Sequence, residues 1–122
     1  MPAAHGNGAD AVVTRLSDGG AVATLAVTGD LSNEVKNLER AIARSLRSGA
    51  AVVIDLRDCS YCDSATLGLI VNQQRRSPGR FAIVLGDAGP VRRIFEITGL
   101  SNRLAIARDA DEARLSLEAH RK

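Results

Sequence analysis

The chain has 122 residues, 45% of them apolar, and its 16 basic and 14 acidic side chains leave a net charge of +2; this is enough for one domain whose core needs neither disulfides nor metal. Its three aromatics, Tyr61, Phe81 and Phe95, leave the core to Val, Leu, Ile and Ala, and argue against the stacking rings of single-strand nucleic-acid binders. Acids interspersed among the arginines also break up the basic stripe that a phosphate backbone requires, so no nucleic-acid partner is expected.

Residues 1–10 are small and polar with two glycines and read as a disordered leader ahead of one domain over residues 11–122. They hold no apolar stretch, so no signal peptide is expected, and no segment is long enough to span a bilayer. The expectation is a cytoplasmic protein. Ala11 to Leu16 and Ala21 to Val27 flank Ser17-Asp18-Gly19-Gly20 and predict a β-hairpin, the second strand ending at Thr28-Gly29-Asp30.

From Glu34 to Arg47, Val35, Leu38, Ile42 and Leu46 recur at helical spacing, and Gly49 stops the helix. Ala51 to Leu56 is short and almost wholly apolar, as a strand buried on both faces should be. A loop to Cys62 and a helix from Ser64 to Arg76 follow, with Leu67, Ile70 and Val71 on one side. Phe81 to Leu85 repeats the buried-strand pattern. Pro90 opens a short helix with Val91, Ile94 and Phe95 inward, closed by Gly99. Leu104 to Ile106 reads as a brief strand, and Asp109 with Glu112 starts a last helix to about His120. The β-β-α-β-α-β-α-β-α order predicts an α/β fold: a mixed sheet of four to five strands, with about four helices and an antiparallel hairpin at its start.

Catalytic motifs are missing from this pattern. His5 and His120 lie in the leader and near the C-terminus, so Ser64 lacks a general base. There is no GxSxG elbow, no phosphate-cradling loop ending in Gly-Lys-Ser/Thr, and no GxGxxG. Asp55 or Asp58 could suggest a phosphorylated receiver domain, but the first strand is not followed by the acidic pair that holds its cation. The expectation is a recognition domain, without enzymatic activity, cofactor or metal. Cys59-Ser60-Tyr61-Cys62 has the spacing of a redox pair, but Asp63 and Ser64 hold the helix start that would activate a thiol. Two reduced, packed cysteines are expected.

The informative segment is Cys62-Asp63-Ser64-Ala65-Thr66-Leu67-Gly68, where an acid and a hydroxyl open a helix directly after a buried strand. Asp or Ser there serves as an N-cap. A phosphate on the hydroxyl would meet unpaired N–H groups and the positive end of the helix dipole.

Val52-Val53-Ile54-Asp55-Leu56, the loop to Cys62 and Asp63-Ser64-Ala65-Thr66-Leu67-Gly68 together resemble the signature of the STAS domain, in particular that of the stand-alone anti-sigma factor antagonists. Val27-Thr28-Gly29-Asp30-Leu31 is similar to that family's second-strand exit, and Pro90 to Leu100 to its third helix and following turn. The resemblance implies that Ser64 is the phosphoacceptor of an anti-sigma factor serine kinase of the GHKL ATP-binding type. The unphosphorylated antagonist binds that kinase and frees a sigma factor, and phosphorylation ends the binding. It further implies a partner surface of Asp63, Ser64, Ala65, Thr66 and Asp30, with Arg92 at its rim, on a monomer or weak dimer. Thr66, one turn in, is expected to be packed at the surface; Arg75, Arg76 and Arg93 read as solvated helix faces. The chain departs from the family's common Asp-Ser-Ser-Gly or Asp-Ser-Thr-Gly at Ala65 and Thr66, and carries Ser32 where many antagonists have a second acid. STAS proteins also serve as subunits of lipid-transport ABC complexes and in stress-signalling scaffolds, the alternatives to the antagonist role.

Overall fold

The computed structural model describes residues 12–17, 22–31, 35–102, 104 and 106–120; the expected leader, the Asp18-Gly19-Gly20 turn, Ser32, Glu34 and Ala105 lie outside the described residues. The elements are β1 (Val12–Ser17), β2 (Val22–Asp30), α1 (Val35–Arg47), β3 (Ala51–Tyr61), α2 (Ser64–Arg76), β4 (Phe81–Val84), α3 (Pro90–Ile97), a 3-10 turn (Leu100–Asn102), β5 (Ile106–Ala107) and α4 (Ala110–His120). The sheet runs β1-β2-β3-β4-β5, antiparallel between β1 and β2 and parallel from β2 to β5. This is the mixed α/β architecture expected, and Phe81 lies on an interior strand bonded to both β3 and β5.

Alternation along the strands sorts the core into two layers. Leu25 and Val27, Val52, Ile54 and Leu56, and Phe81 and Ile83 share one layer with Leu38 and Ile42 of α1, Ile70 of α2, and Val91 and Phe95 of α3. Right-handed crossovers between strands laid down in sequence order put those three helices on one face. The intervening residues, Val22, Ala51, Val53, Ala82, Val84 and Ala107, meet Ala113 and Leu117 of α4. Alanines in both the strands and α4 let that helix approach closely. Burying each large side chain of the first layer contributes about 1.5–3 kcal/mol.

The helix stops behave as the sequence suggests. Gly49 adopts φ 93°, and the Arg80 guanidinium donates to the carbonyls of Leu46 and Ala50 at 3.2 and 2.9 Å, tying down the end of α1. Glu112 N–H donates to Asp109 Oδ1 at 2.8 Å, capping α4.

Two local expectations need correction. The strand expected to end at Leu56 runs on to Tyr61, because β2 continues beside it and pairs Thr28 with Asp58, Gly29 with Cys59 and Asp30 with Tyr61. The brief fifth strand is Ile106–Ala107 rather than 104–106, a register set by pairing with Ile83 and Val84. Helix α2 buries Thr66, Ile70 and Gln73, with Leu67 packed partly buried against the same core and Val71 partly covered. On α3, Ile94 is half-buried and packs against the same core as Val91 and Phe95, the inward face expected.

Asp55 continues the face that carries Ala51 and Val53, and Arg57 closes on it with Nε 3.0 Å from Oδ1 and a terminal nitrogen 2.8 Å from Oδ2. Burial pushes the Asp55 carboxyl up, but the hydrogen bonds and charge of Arg57 outweigh it and hold the group below its ordinary value of 3.8. A depressed carboxylate contributes stability above about pH 4, lost as pH falls through the folded value. In Arg57→Ala the side-chain bonds and the charge are lost, and burial is opposed only by the residue-57 backbone N–H, which donates to Asp55 Oδ1 at 3.0 Å. That variant is expected to be less stable than the parent at pH 7, with the gap closing as pH drops to about 3. Urea unfolding at both pH values checks this; an unchanged gap would remove the ion pair from the account.

Candidate functional site at the start of helix α2

The parallel strands β2 to β5 all end at one edge of the sheet, and their exits build the site. Gly29, at φ 90°, lies at the second of two register shifts in the β2–β3 pairing. A bulge of this kind re-aims the residues that follow it. It sets Asp30 opposite Tyr61, and Leu31 N–H donates to the Tyr61 carbonyl at 2.9 Å. The Cys59 thiol donates to the same carbonyl at 3.3 Å, so two donors hold the backbone three residues ahead of Ser64.

Asp63, in extended conformation with φ −104° and ψ −176°, is the N-cap of α2. Its Oδ1 accepts from Thr66 N–H at 3.1 Å and from Thr66 Oγ1 at 3.2 Å, and its carbonyl accepts the first helical bond, from Leu67 N–H at 3.1 Å. Ser64 is therefore the first helical residue. Helix geometry leaves the N–H groups of the first turn without intrahelical acceptors, and the cap serves that of Thr66.

Ser64 and Ala65 are exposed, Asp63 and Asp30 half-buried, and Thr66 is 0% exposed. The expectation of a surface-packed Thr66 is thus corrected. Its hydroxyl turns inward to the Asp63 carboxylate and presents no surface for direct contact. The cap is where the sequence placed it, but its side-chain bonds go to Thr66 and not to the serine.

Arg92 belongs to the same edge, on the helix that follows β4. It donates to the Gly86 carbonyl at 3.1 Å and to Glu96 Oε2 at 3.3 Å, and lines an open groove of about 710 Å³ between Asp87 and Ile97. Arg75, Arg76 and Arg93 are exposed. Sequence reasoning passed over Tyr61, 45% exposed, and Ile97, 74% exposed, at this end of the sheet and along α3 respectively. The scarcity of aromatics was a usable signal for Tyr61, since a lone tyrosine beside a helix start is not needed for a Val/Leu/Ile core.

Both cysteines are free and buried in the main core layer. Burial raises the Cys59 thiol, and with weaker contributions from Cys59 and Asp63 pushes Cys62 up to about 12. The tight turn that bridging requires is replaced by extended strand through Tyr61, which separates the Cα atoms by roughly 10 Å, beyond the ~7 Å limit. Among the described residues no group of three or more His, Cys, Asp or Glu side chains is arranged to hold a metal, and no helix is long and apolar enough to cross a membrane.

The profile of the family described as "Mlab, STAS domain" matches residues 14–108. Among solved structures, an anti-sigma factor antagonist from Mycobacterium paratuberculosis superposes with TM-score 0.74 at 22% identity, over 92% of this chain and 95% of that one. The unphosphorylated anti-sigma factor antagonist SpoIIAA gives 0.69 at 18% identity, over 88% and 97%. The phosphorylated form of SpoIIAA, a Bacillus cell fate determinant, gives 0.59 at 18% identity, over 84% and 96%. The chain belongs to the STAS domain family.

Proposed function

We propose that this STAS domain is an anti-sigma factor antagonist: it binds an anti-sigma factor serine kinase of the GHKL ATP-binding type through the edge around α2, and phosphorylation of Ser64 releases it. The observation that carries this reading is the exposure of Ser64 as the first residue of α2, directly after a cap whose side chain is already engaged by Thr66. A hydroxyl so placed is reachable by a kinase, and its phosphate would sit at the positive end of the helix. The similar structures support it, since they include antagonists by description, one of them in both unphosphorylated and phosphorylated forms.

Asp63 supplies order, fixing where the first turn begins, while Ser64 and Ala65 offer small exposed side chains to a partner. Asp30 and Tyr61 flank them across the β2–β3 pair, and Arg92 rims the same edge beyond β4. Tyr61 has the character of an interface anchor, a large ring on backbone already fixed by Leu31 and Cys59.

Affinity capture from the native host with the chain as bait tests the proposal. A GHKL-type kinase in the eluate, phosphorylating Ser64 when given ATP, is the expected result. An ABC-transporter ATPase in its place would assign the domain to a lipid-transport complex.

A further inference from the structure

Among the described residues nothing requires Gly68 to be glycine. It sits in the second turn of α2 with its φ outside the positive range that Gly29, Gly49, Gly79, Gly89 and Gly99 occupy. A Cβ built on it would meet nothing within 4 Å among the described residues, and the residue is exposed. Glycine in a helix interior loses stability relative to alanine through backbone entropy. Neither conformation nor internal packing explains accepting that loss. Gly68 lies four positions after Ser64 on α2, so the two lie one above the other on the same helix face.

We infer that Gly68 is a specificity-determining contact position, kept free of a side chain so that the main chain of the bound kinase can cross α2 beside Ser64. This deepens the antagonist reading and rests on it. A partner backbone lying against Gly68 fits a surface that reads a neutral serine: close approach leaves no room for water around the hydroxyl, and so none for a phosphate. The glycine thereby couples tight binding to the sensitivity of binding to phosphorylation.

The test compares the parent with Gly68→Ala and Gly68→Leu, by thermal melting and by titration against the captured kinase. Gly68→Ala is expected to raise the melting temperature by about 3 °C, as alanine in an unhindered helix position should. It is also expected to weaken kinase binding roughly tenfold, and Gly68→Leu more strongly, as overpacking does at a close contact. Opposite signs in the two readouts separate a contact role from a structural one. Unchanged affinity in Gly68→Ala, or a lowered melting temperature, overturns the inference while leaving the antagonist reading intact. A parent chain that binds no such kinase overturns that reading and this inference with it.

Discussion

Ser64→Glu, and phosphorylation of Ser64 more completely, is expected to weaken kinase binding by about two to three orders of magnitude while leaving the fold almost unchanged. A phosphoserine carries nearly two negative charges at neutral pH. On the free domain that charge lies in solvent at a helix N-terminus, where the dipole favours it by about 0.3–1 kcal/mol and offsets repulsion from Asp63. In the complex it must be desolvated against a surface fitted to a neutral hydroxyl, and an uncompensated buried charge costs about 3–5 kcal/mol. At 1.4 kcal/mol per decade this spans two to three and a half orders of magnitude. Ser64→Ala loses only a hydroxyl contact and should bind constitutively. Calorimetric titration of the three forms checks the affinities, thermal melting checks the fold, and mass spectrometry locates the phosphate. Thr66 is closed to a kinase, since its hydroxyl is buried against Asp63, and reaching it requires opening the first turn. Phosphate on Thr66, or equal binding by the Ala and Glu variants, would sink the switch.

The parts of this structure that could be read from sequence are those where one local cause dominates. Val52, Val53 and Ile54 and the run from Phe81 to Leu85 are apolar on both faces because both faces are covered, and no other environment suits such a run. Gly49 and Gly99 stop helices because they take positive φ, at 93° and 78°. Asp63 is a cap because a short acceptor before a helix has few other roles. What could not be read depends on neighbours remote in sequence. The five residues that extend β3 past Leu56 alternate irregularly in burial, and only the continuing β2 keeps them in the ladder. Ile106 and Ala107 form a strand because pairing with Ile83 and Val84 of β4 sets their register.

The candidate site divides the same way. Asp63, Ser64 and Ala65 follow from the motif, and Asp30 from the strand exit. Tyr61 and Gly68 gain meaning only once exposure is known, because an aromatic and a helix glycine both have ordinary internal explanations until the structure removes them. Thr66 shows the reverse: a polar residue near a helix start reads as exposed, yet a paired hydroxyl can be buried without loss. The chain accommodates this side chain by tying it to the cap.

That tie makes Asp63→Ala a damaging change to the fold, expected to cost about 2–4 kcal/mol. The variant loses the N-cap, about 1 kcal/mol, and strands the Thr66 hydroxyl, which is 0% exposed; leaving such a group without a partner costs about 1–3 kcal/mol. The lower end applies if the hydroxyl turns to a backbone carbonyl of the preceding turn, as threonine in a helix can. Asp63→Asn keeps an acceptor at the position of Oδ1 and should lose under about 1 kcal/mol. Thr66→Val removes the 3.2 Å hydroxyl bond but keeps the Thr66 N–H to Asp63 contact, so it should sit between the two. The double variant Asp63→Ala, Thr66→Val then strands no hydroxyl, and should be less destabilised than the two single changes added, by about 1 kcal/mol or more. Urea denaturation of the four proteins at pH 7 measures the cycle, with equal slopes showing that the unfolded states match. Strict additivity, or a loss below 0.5 kcal/mol in Asp63→Ala, would mean that the cap and the buried threonine act independently and that the start of α2 is held by its packing alone.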